Sequence, residues 1–349
     1  MDRERIEAFL DTFVGYATGA TTIALLAVAD RAGLLAWLRE HGSGTIAEIA
    51  DGAGLDERYV REILSGLAAA GAVDYDIGTE VFTLPPEHAL FLADESSPYF
   101  MGGWFDMIPA VMRQVDAVAS ATRDGGGVAF EDFGPDLIRG LARGNAPSQR
   151  VFLVSRWLPA VPGLIEDLER GIRVADVGCG VGTAAGLVAE AFPASTVIGF
   201  DLSAESIEMA RAEHAHLPNV TFEVASVEDI PTDPPFDLVT TFDVIHDLAD
   251  PLAGLTRIRE ALADAGRYLM MEPNAGSDLA DNLSDRGALL YGISTMHCMT
   301  QSRAVGGAGL GAAWGRELAE DYALRAGFAS FRPLDEITNK FSAFYLLTV

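Results

Sequence analysis

Cysteine is nearly absent from this sequence, whose 349 residues contain only Cys179 and Cys298. Neither cysteine lies in the paired spacing of a structural metal site, and two cysteines do not make a disulfide framework. A reducing compartment fits this composition, so we expect a cytoplasmic protein.

Basic side chains are also scarce. Lysine and arginine together number 24 against 51 aspartates and glutamates, which gives a net charge of −27, and Lys340 is the only lysine. A surface of this kind repels phosphate backbones. We therefore expect no nucleic acid among the partners.

Long uncharged runs are missing except between Asp11 and Asp30. That run is barely long enough to span a bilayer and contains Gly15, Gly19 and several threonines. We predict a helix buried in protein, with a dimer interface as one candidate for what covers it, and no membrane partner. The first five residues mix acids with bases, so we do not interpret them as a signal or transit peptide.

Three regions can be distinguished in what the sequence does contain. Residues 1–95 show helical periodicity with a compact insert, and residues 96–168 are mostly helical, broken by a glycine triplet at 125–127 that reads as a loop tip or hinge. From residue 169 to 349, strand and helix signals alternate. This alternation predicts an α/β domain with a mainly parallel, doubly wound sheet, whose ligand lies at the carboxyl ends of the strands. Six segments carry strand signals: residues 173–177, 196–200, 220–224, 238–242, 268–271 and 344–349.

The order of elements in residues 1–95 is helix, turn, helix, hairpin, which is typical of a winged helix. Thr45 followed by Glu48 predicts a capping box at one helix start, and Asp56 is placed to cap the next helix. That helix offers Arg58 and Arg61 among three acids, in a strongly acidic chain. We therefore expect this domain to dimerise or to roof a substrate pocket rather than to bind DNA.

The most informative segment lies at residues 174–183, where a strand pattern runs directly into Gly178, Gly180 and Gly182 and a helical pattern follows. Glycine allows a backbone to approach a ligand closely, and a helix N-terminus favours a carboxylate. The next strand ends in Asp201, where an acid can accept both hydroxyls of a ribose. These features predict a nucleotide-type site, with packing glycines as the alternative.

The sequence of this loop fits an NAD-binding site less well. The third glycine of the dinucleotide pattern falls on Thr183. Asp176, just before the loop, would repel a pyrophosphate but is able to hold the ammonium of a methionine moiety, directly or through water. The loop therefore favours a sulfonium amino acid over a dinucleotide.

Residues 171–275 resemble the class I S-adenosylmethionine-dependent methyltransferases. The resemblance is carried by Asp-Val-Gly-Cys-Gly-Val-Gly at 176–182, Gly-Phe-Asp at 199–201, Val-Glu-Asp-Ile-Pro at 227–231 and Phe-Asp-Leu-Val at 236–239. The whole chain looks like the subgroup with an N-terminal winged-helix domain, common in bacterial secondary metabolism. It implies a seven-stranded Rossmann-like sheet, S-adenosylmethionine as the cofactor, and a homodimer built through the N-terminal half.

The resemblance also implies roles for single residues. The three loop glycines would line the methionine end, Asp201 would hold the ribose, and residues 225–227 would flank the adenine. Ser226 stands where family members often have Asp, which weakens an expected contact to the adenine amino group. The predicted cofactor contacts are Asp176, Gly178, Gly180, Gly182, Asp201, Leu202, Ser226, Val227, Phe242 and Asp243.

Acceptor chemistry is expected beside the fourth strand, whose end carries His246 and Asp247, and in residues 276–315, which we interpret as a lid insertion of the domain 169–349. His246, His297 and Asp247 are the catalytic candidates, with a histidine as base and Asp247 orienting it. Two alternatives stay open: histidines that only line the pocket wall, or two histidines that share a metal with Asp247. We predict no metal.

Together these features predict methyl transfer from S-adenosylmethionine to an oxygen or carbon of a small metabolite. On this interpretation residues 1–95 form the dimerisation domain and residues 96–168 a connector that covers the pocket. Two other functions are considered: a transcriptional regulator that senses S-adenosylmethionine, and an NAD(P) oxidoreductase.

Overall fold

A computed structural model describes residues 1–349. The chain folds into two compact units. The N-terminal unit comprises residues 1–110 and 139–148, and the C-terminal unit comprises residues 111–138 and 149–349. Residues 96–168, predicted as a connector, are therefore shared between the two units.

The N-terminal unit has a helix-turn-helix followed by a hairpin, as predicted. Its elements are α1 (Arg3–Arg31), α2 (Leu34–His41), β1 (Ser43–Gly44), α3 (Ile46–Ala53), α4 (Glu57–Ala69), β2 (Asp74–Asp76), β3 (Val81–Thr83) and α5 (Pro86–Leu92). The three short strands form an antiparallel sheet in the order β1-β3-β2. The predicted capping box is confirmed, because the Thr45 amide donates to the Glu48 carboxylate (2.8 Å) and the Glu48 amide donates to the Thr45 hydroxyl (3.4 Å).

Helix α1 corrects one expectation. Only its last third is buried, at Leu26, Ala27 and Ala29, whereas Phe9 is 62% exposed and Phe13 is 57% exposed. The prediction of a helix buried in protein is therefore wrong for the single chain, which has nothing that covers the first two thirds of α1. By length and composition alone the helix is able to cross a membrane, a criterion that core helices and signal sequences also meet.

A cluster of ion pairs around one buried carboxylate links distant segments of the N-terminal unit, and sequence reasoning did not find it. Asp106 is 1% exposed and accepts hydrogen bonds from Arg139 (2.7 Å), Arg143 (2.8 Å) and Arg31 (3.2 Å). Arg143 also binds Asp30 (2.9 Å). Burial alone would raise the pKa of Asp106, but the bonds from Arg139 and Arg143 outweigh it and lower that pKa.

The remaining helices and strands are α6 (Gly103–Met112), α7 (Val115–Asp124), α8 (Pro135–Phe152), α9 (Leu164–Arg170), β4 (Arg173–Val177), α10 (Thr183–Ala191), β5 (Thr196–Asp201), α11 (Ala204–Glu213), β6 (Val220–Val224), β7 (Phe236–Phe242), α12 (Pro251–Ala261), β8 (Leu262–Pro273), α13 (Asp285–Ile293), α14 (Met299–Ala304), α15 (Gly315–Arg325), β9 (Ser330–Pro333) and β10 (Ser342–Thr348). Helices α6 and α8 each contribute residues to both units.

The C-terminal unit is the predicted α/β domain with a seven-stranded sheet in the order β6-β5-β4-β7-β8-β10-β9. Its strands are parallel except β10, which runs antiparallel to both of its neighbours. All six predicted strands are present. The seventh, β9, has only four residues on the sheet edge and ends in Pro333, so its sequence has no alternating pattern to detect.

This strand order positions the site. The chain leaves β4 toward β5 on one side and later returns to β7 on the other side of β4. The carboxyl ends of these three strands therefore meet at the point where the strand order reverses, which is the ligand-binding position of doubly wound sheets.

The predicted lid at 276–315 is hydrogen-bonded to the residues that follow β7. The Ser302 hydroxyl donates to the Leu248 carbonyl (2.9 Å), and the Ala308 amide donates to the Ala249 carbonyl (2.8 Å). The glycine triplet docks on the same segment, since a β-carbon on Gly127 would lie 1.7 Å from the Thr300 carbonyl oxygen. Residues 276–315 are thus bonded to the rest of the domain rather than forming a free flap, and their role as a lid stays a prediction.

The ionic cluster leads to a stability prediction. We expect Asp106→Asn to lower the free energy of unfolding by about 3 kcal/mol in urea denaturation at neutral pH, because it removes the buried negative charge to which three arginines are bonded. Since the folded pKa of Asp106 lies below its unfolded value of about 3.9, this stabilisation is present above that value and is lost as the pH falls through the folded pKa.

A matched acid provides the control. Glu57 pairs with Arg61 at 3.0 Å on an exposed helix face, so Glu57→Gln should cost about 0.5 kcal/mol or less. Equal effects of the two substitutions would contradict the role assigned to Asp106.

Candidate functional site

The glycine loop after β4 is shaped for close approach. Gly178 and Gly182 have φ of +71° and +81°, and a β-carbon there would lie 2.5 Å from Val244 and 2.6 Å from Phe222, respectively. A β-carbon on Gly180 would meet no atom within 4 Å. The outer two glycines therefore satisfy packing, while Gly180 presents its backbone to open space that a ligand is able to occupy.

Asp201 joins the end of β5 to this loop. Its Oδ2 accepts the Gly180 amide (2.7 Å) and its Oδ1 accepts the Ser203 amide (2.8 Å). Burial raises the pKa of Asp201, and the two amides offset part of that rise. Each oxygen of an ionised carboxylate keeps a second lone pair, so Asp201 retains the capacity to accept hydroxyl groups. The neighbouring Leu202 is 75% exposed.

Asp176 carries an unsatisfied oxygen inside the sheet. Its Oδ1 accepts the Thr240 hydroxyl (2.8 Å), whereas the buried Oδ2 has no hydrogen-bond partner. Burial raises the pKa of Asp176 to about 7. A buried carboxylate oxygen without a partner is costly, and a cationic ligand such as an ammonium group would satisfy it.

In the segment predicted to flank the adenine, the side chains of Ser226 and Val227 already have contacts within the protein. Ala225 donates its amide to the Asp201 carbonyl (3.0 Å), which brings the segment after β6 to the end of β5. The Ser226 hydroxyl is already used, because it donates to Oδ2 of Asp229 (2.7 Å). Val227 is buried in the core of the unit. Phe242 is buried too, with its ring 5.9 Å from that of Trp157.

His246 lies between two carboxylates in the turn that follows β7. Its Nδ1 donates to Oε2 of Glu272 (2.7 Å), and its Nε2 lies 3.3 Å from Oδ1 of Asp247. Burial opposes a charge on the ring, but the two carboxylates outweigh it and hold the pKa of His246 well above its ordinary value. The structure therefore brings His246 and Asp247 together as predicted, and the carboxylates on both sides favour the protonated form of the ring.

Sequence reasoning missed Glu272. We expected Asp247 to orient the histidine, but Glu272 binds Nδ1 and fixes the ring, while Asp247 lies at Nε2. Glu272 is 1% exposed and also accepts the Ile245 amide (2.9 Å) and the Trp314 indole N–H (3.0 Å). The available signal was an acid at the carboxyl end of a buried strand, directly before Pro273.

Asp243 stands between the two halves of the site, at the end of β7. It is a non-glycine residue with a φ of +58°, and its amide donates to the Met271 carbonyl (2.9 Å). Burial, with Glu272 and Asp247 nearby, raises its pKa to about 7, although the charge on His246 acts in the opposite direction. Together with Asp176 and Asp201 it makes this edge of the sheet rich in carboxyl groups, which suits a cationic ligand.

His297 lies in the π-helical turn Ser294–Cys298 and is 3% exposed. Its Nδ1 has no hydrogen-bond partner, and its ring meets Phe133 edge-on at 5.2 Å and Phe130 at 6.2 Å. Burial lowers the pKa of His297, so the ring is neutral. It offers a free polar atom in an aromatic setting, and single π-helical turns occur frequently at functional sites.

A metal is a weaker fit. His246, Asp247 and Cys298 each place one ligand atom within 4.8 Å of the others, a set that differs from the two histidines and Asp247 considered from the sequence. Burial raises the pKa of Cys298 to about 12, and the carboxylates on both sides of His246 favour its protonated form. Because a metal would have to displace both protons, we assign none to this cluster.

Comparison with known proteins agrees with this geometry. Residues 168–321 match the family described as "Methyltransferase domain", and residues 20–94 match the "Rv2258c-like winged HTH domain". The trans-aconitate 2-methyltransferase of Methylobacterium nodulans is 32% identical over 135 residues, which are 38% of this chain and 51% of that relative. The chain spans between 30% and 51% of the length of the curated relatives it matches.

Solved structures extend the likeness to the whole chain. Mitomycin 7-O-methyltransferase superposes with a TM-score of 0.72 at 18% identity and covers 100% of both chains. Human N-acetylserotonin methyltransferase in complex with S-adenosylmethionine superposes with a TM-score of 0.71 at 20% identity and covers 97% of both chains. At these identities the likeness establishes the fold.

The cofactor edge leads to a binding prediction. We expect Asp201→Ala to weaken the binding of S-adenosylmethionine and S-adenosylhomocysteine about 100-fold in calorimetric titration, because it removes a half-buried carboxylate that is placed to accept two hydroxyl groups.

Asp264→Asn is the control, since Asp264 is an exposed acid at the amino-terminal start of β8, whereas the predicted site lies at the carboxyl ends of the strands. The affinity of this variant for both ligands should stay within about twofold of the native value. Tight binding that survives Asp201→Ala would exclude Asp201 from the cofactor site.

Proposed function

We propose that this protein transfers the methyl group of S-adenosylmethionine to an oxygen or carbon of a small molecule. The premise is the match of residues 168–321 to a methyltransferase domain and of residues 20–94 to a winged helix-turn-helix domain. The observation that carries the proposal is the unpartnered Oδ2 of the buried Asp176, at the same sheet edge as the open Gly180 and Asp201. A ligand with an ammonium group and a ribose satisfies all three.

In this proposal Asp176 holds the ammonium group, Gly180 lies against the amino acid portion, and Asp201 accepts the ribose hydroxyls. Leu202, Ser226 and Val227 flank the adenine, with Leu202 as the exposed apolar surface. When bound, S-adenosylmethionine supplies an electrophilic methyl group on a sulfonium. The carboxyl-rich edge that includes Asp243 favours a ligand of this charge.

His246 is the proposed base for an acceptor hydroxyl or acidic carbon. An acceptor hydroxyl would lie beside Nε2 of His246 and Asp247. In the neutral form of the ring, Nε2 would take the proton of that hydroxyl, while bound S-adenosylmethionine would supply the methyl group and leave as S-adenosylhomocysteine. Glu272 holds the ring by Nδ1, so Nε2, beside Asp247 and Cys298, is the nitrogen left to take a proton. Because methyl transfer is an in-line displacement, alignment of the acceptor supplies much of the rate.

His297 is proposed to bind the acceptor through its free Nδ1. The ring is neutral and lies against Phe130 and Phe133, so it is suited to an aromatic or otherwise apolar acceptor with a second polar group. An acceptor hydrogen bond there would satisfy an atom that has no partner in the protein.

Cofactor-sensing DNA binding is the second candidate, because residues 20–94 match a winged helix-turn-helix domain. The cations of α4 are already engaged, since Arg61 pairs with Glu57 (3.0 Å) and Arg58 pairs with Glu62. With a net charge of −27, this arrangement favours the enzyme over the regulator, and no nucleic acid is proposed as a partner. The two free cysteines support a reducing, cytoplasmic location.

A homodimer through α1 is proposed as the assembly. The exposed face of α1 carries large apolar side chains over its first half, with Phe9, Phe13 and Tyr16 all more than half exposed. An apolar surface of this kind on a helix marks an interaction site. A second copy of the same helix, equally apolar, is the proposed occupant.

The base role predicts a specific kinetic pattern. His246→Ala should leave cofactor affinity unchanged and lower kcat by about 10²- to 10⁴-fold, because it removes the group that accepts the proton. His216→Ala, which changes an exposed histidine, is the control and should retain native kcat. Native turnover in His246→Ala would exclude the role.

The charge on His246 predicts the pH dependence. Because its pKa is held above the ordinary value of about 6.5, the base form becomes populated only at higher pH, and kcat should rise with pH above that value. Glu272→Gln removes one of the two carboxylates, so the pKa of His246 falls and the rise in kcat should move to lower pH. A pH profile that does not move would contradict the pairing.

The dimer is tested by Phe13→Glu, which should convert the protein to a monomer in sedimentation velocity by placing charge in an apolar interface. Phe341→Glu is the control, since Phe341 is 47% exposed in the C-terminal unit. A native protein that is monomeric but co-sediments with lipid vesicles would replace the dimer with a membrane contact.

A further inference from the structure

We propose that Trp314 is a positioning residue for the His246–Glu272 pair, and that its indole N–H sets how tightly this pair holds its proton. The inference rests on the proposed function, because it concerns the group that acts there as the base. It also assigns a role to the glycine-rich segment at 306–315, whose composition alone gives it none.

The contact is short and fully buried. The Nε1 of Trp314 donates to Oε2 of Glu272 at 3.0 Å, and the same oxygen accepts Nδ1 of His246 at 2.7 Å. Trp314 is 3% exposed and Glu272 is 1% exposed, so water does not compete for either bond. Oε2 is thus shared between the ring that carries the proton and a neutral donor from elsewhere in the chain.

The two other donors to Glu272 do not serve the same purpose. The Ile245 amide binds Oε1 (2.9 Å) and belongs to the same turn as His246, so it fixes where the turn lies. Trp314 comes from a segment 42 residues further along the chain from Glu272. It withdraws negative charge from the oxygen that faces the histidine, and in a dry environment that effect is strong.

The charge balance gives the direction of the effect. With the indole bond in place, Oε2 is a weaker base and attracts the imidazole proton less. Without the bond, Glu272 would present undiminished charge to the ring, and the pair would hold its proton more tightly. The other titratable groups that face His246 are Asp243, Asp247, His297 and Cys298. None of these accepts a bond from Trp314, so the indole acts on His246 only through Glu272.

The backbone around Trp314 is held in place from both sides. The Trp314 amide donates to the Gly311 carbonyl (3.2 Å), and the Gly311 amide in turn donates to the His246 carbonyl (3.3 Å). Gly315 has a φ of +78°, and a β-carbon there would lie 2.2 Å from the Ser277 nitrogen. The glycines therefore allow one segment both to contact the His246 backbone and to direct the indole at Glu272.

A purely structural role is the alternative, because Trp314 also belongs to a hydrophobic cluster that includes Ala319 and Phe328. In that case replacement of the indole would lower stability and leave the protonation of His246 unchanged. The two roles therefore differ in a measurable quantity other than activity.

The experiment is Trp314→Phe in the full chain, with ring-¹⁵N-labelled histidine followed by NMR across a pH series, and kcat measured over the same range. We expect the apparent pKa of the His246–Glu272 pair to rise by about one unit. Below that pKa, kcat should then fall about tenfold, recover at alkaline pH, and leave KM unchanged.

Tyr268→Phe is the matched control. It also removes one buried hydrogen bond from an aromatic ring, between the Tyr268 hydroxyl and Thr241 (2.7 Å), and Tyr268 lies on the same strand as Glu272. The titration of His246 should be native in this variant. An unchanged titration in Trp314→Phe, or an equal shift in both variants, overturns the inference.

Failure of the inference and failure of the proposed function can be told apart. If the titration of His246 shifts in Trp314→Phe and the pH profile of kcat does not follow it, the positioning role stands and His246 is not the base. If Trp314→Phe does not fold, the native protein still supplies a test. The Trp314 indole N–H resonance should then titrate with the same pKa as His246, and an indole signal independent of that pKa overturns the inference.

Discussion

The buried carboxylate of Glu272 is the constraint on which the acceptor half of this site depends. A carboxylate that is 1% exposed is tolerated only when its oxygens are hydrogen-bonded. Its three donors come from the turn after β7, from His246 and from the segment that carries Trp314. The strand end, the histidine and the glycine-rich segment therefore meet at one buried charge, and its hydrogen bonds fix the geometry of this half of the site.

The cofactor half of the site differs, because there a buried carboxylate has one oxygen without a hydrogen-bond partner. Asp176 has one oxygen bound to Thr240 and the other without a partner, while Asp201 is bound to backbone amides and still able to accept more. Asp243, with its pKa raised to about 7, lies between the two halves. The sheet edge thus concentrates carboxyl groups where a sulfonium ligand is proposed, and burial makes each of them more sensitive to a nearby positive charge.

The N-terminal unit separates its charges from its apolar surface in an unusual way. The buried Asp106 is paired with three arginines, whereas large apolar side chains of α1 face outward. Internal ion pairs of this kind contribute to specificity only if each charge has its partner. The outward apolar face is what remains for assembly with another surface, and it agrees with the proposal that this unit dimerises rather than binds nucleic acid.

Local patterns in the sequence were sufficient for much of this protein. The glycine loop, Asp201 at the end of β5, the capping box at Thr45 and six of the seven strands were predictable, because each depends on residues close together in the chain. The edge strand β9 was not, since four residues that end in proline carry no periodicity. The role of Glu272, the bond from Trp314, the unpartnered nitrogen of His297 and the exposure of α1 were decided only by the tertiary structure. Each depends on which distant segments meet, and hydrophobic periodicity specifies that an element has a buried face without specifying what covers it.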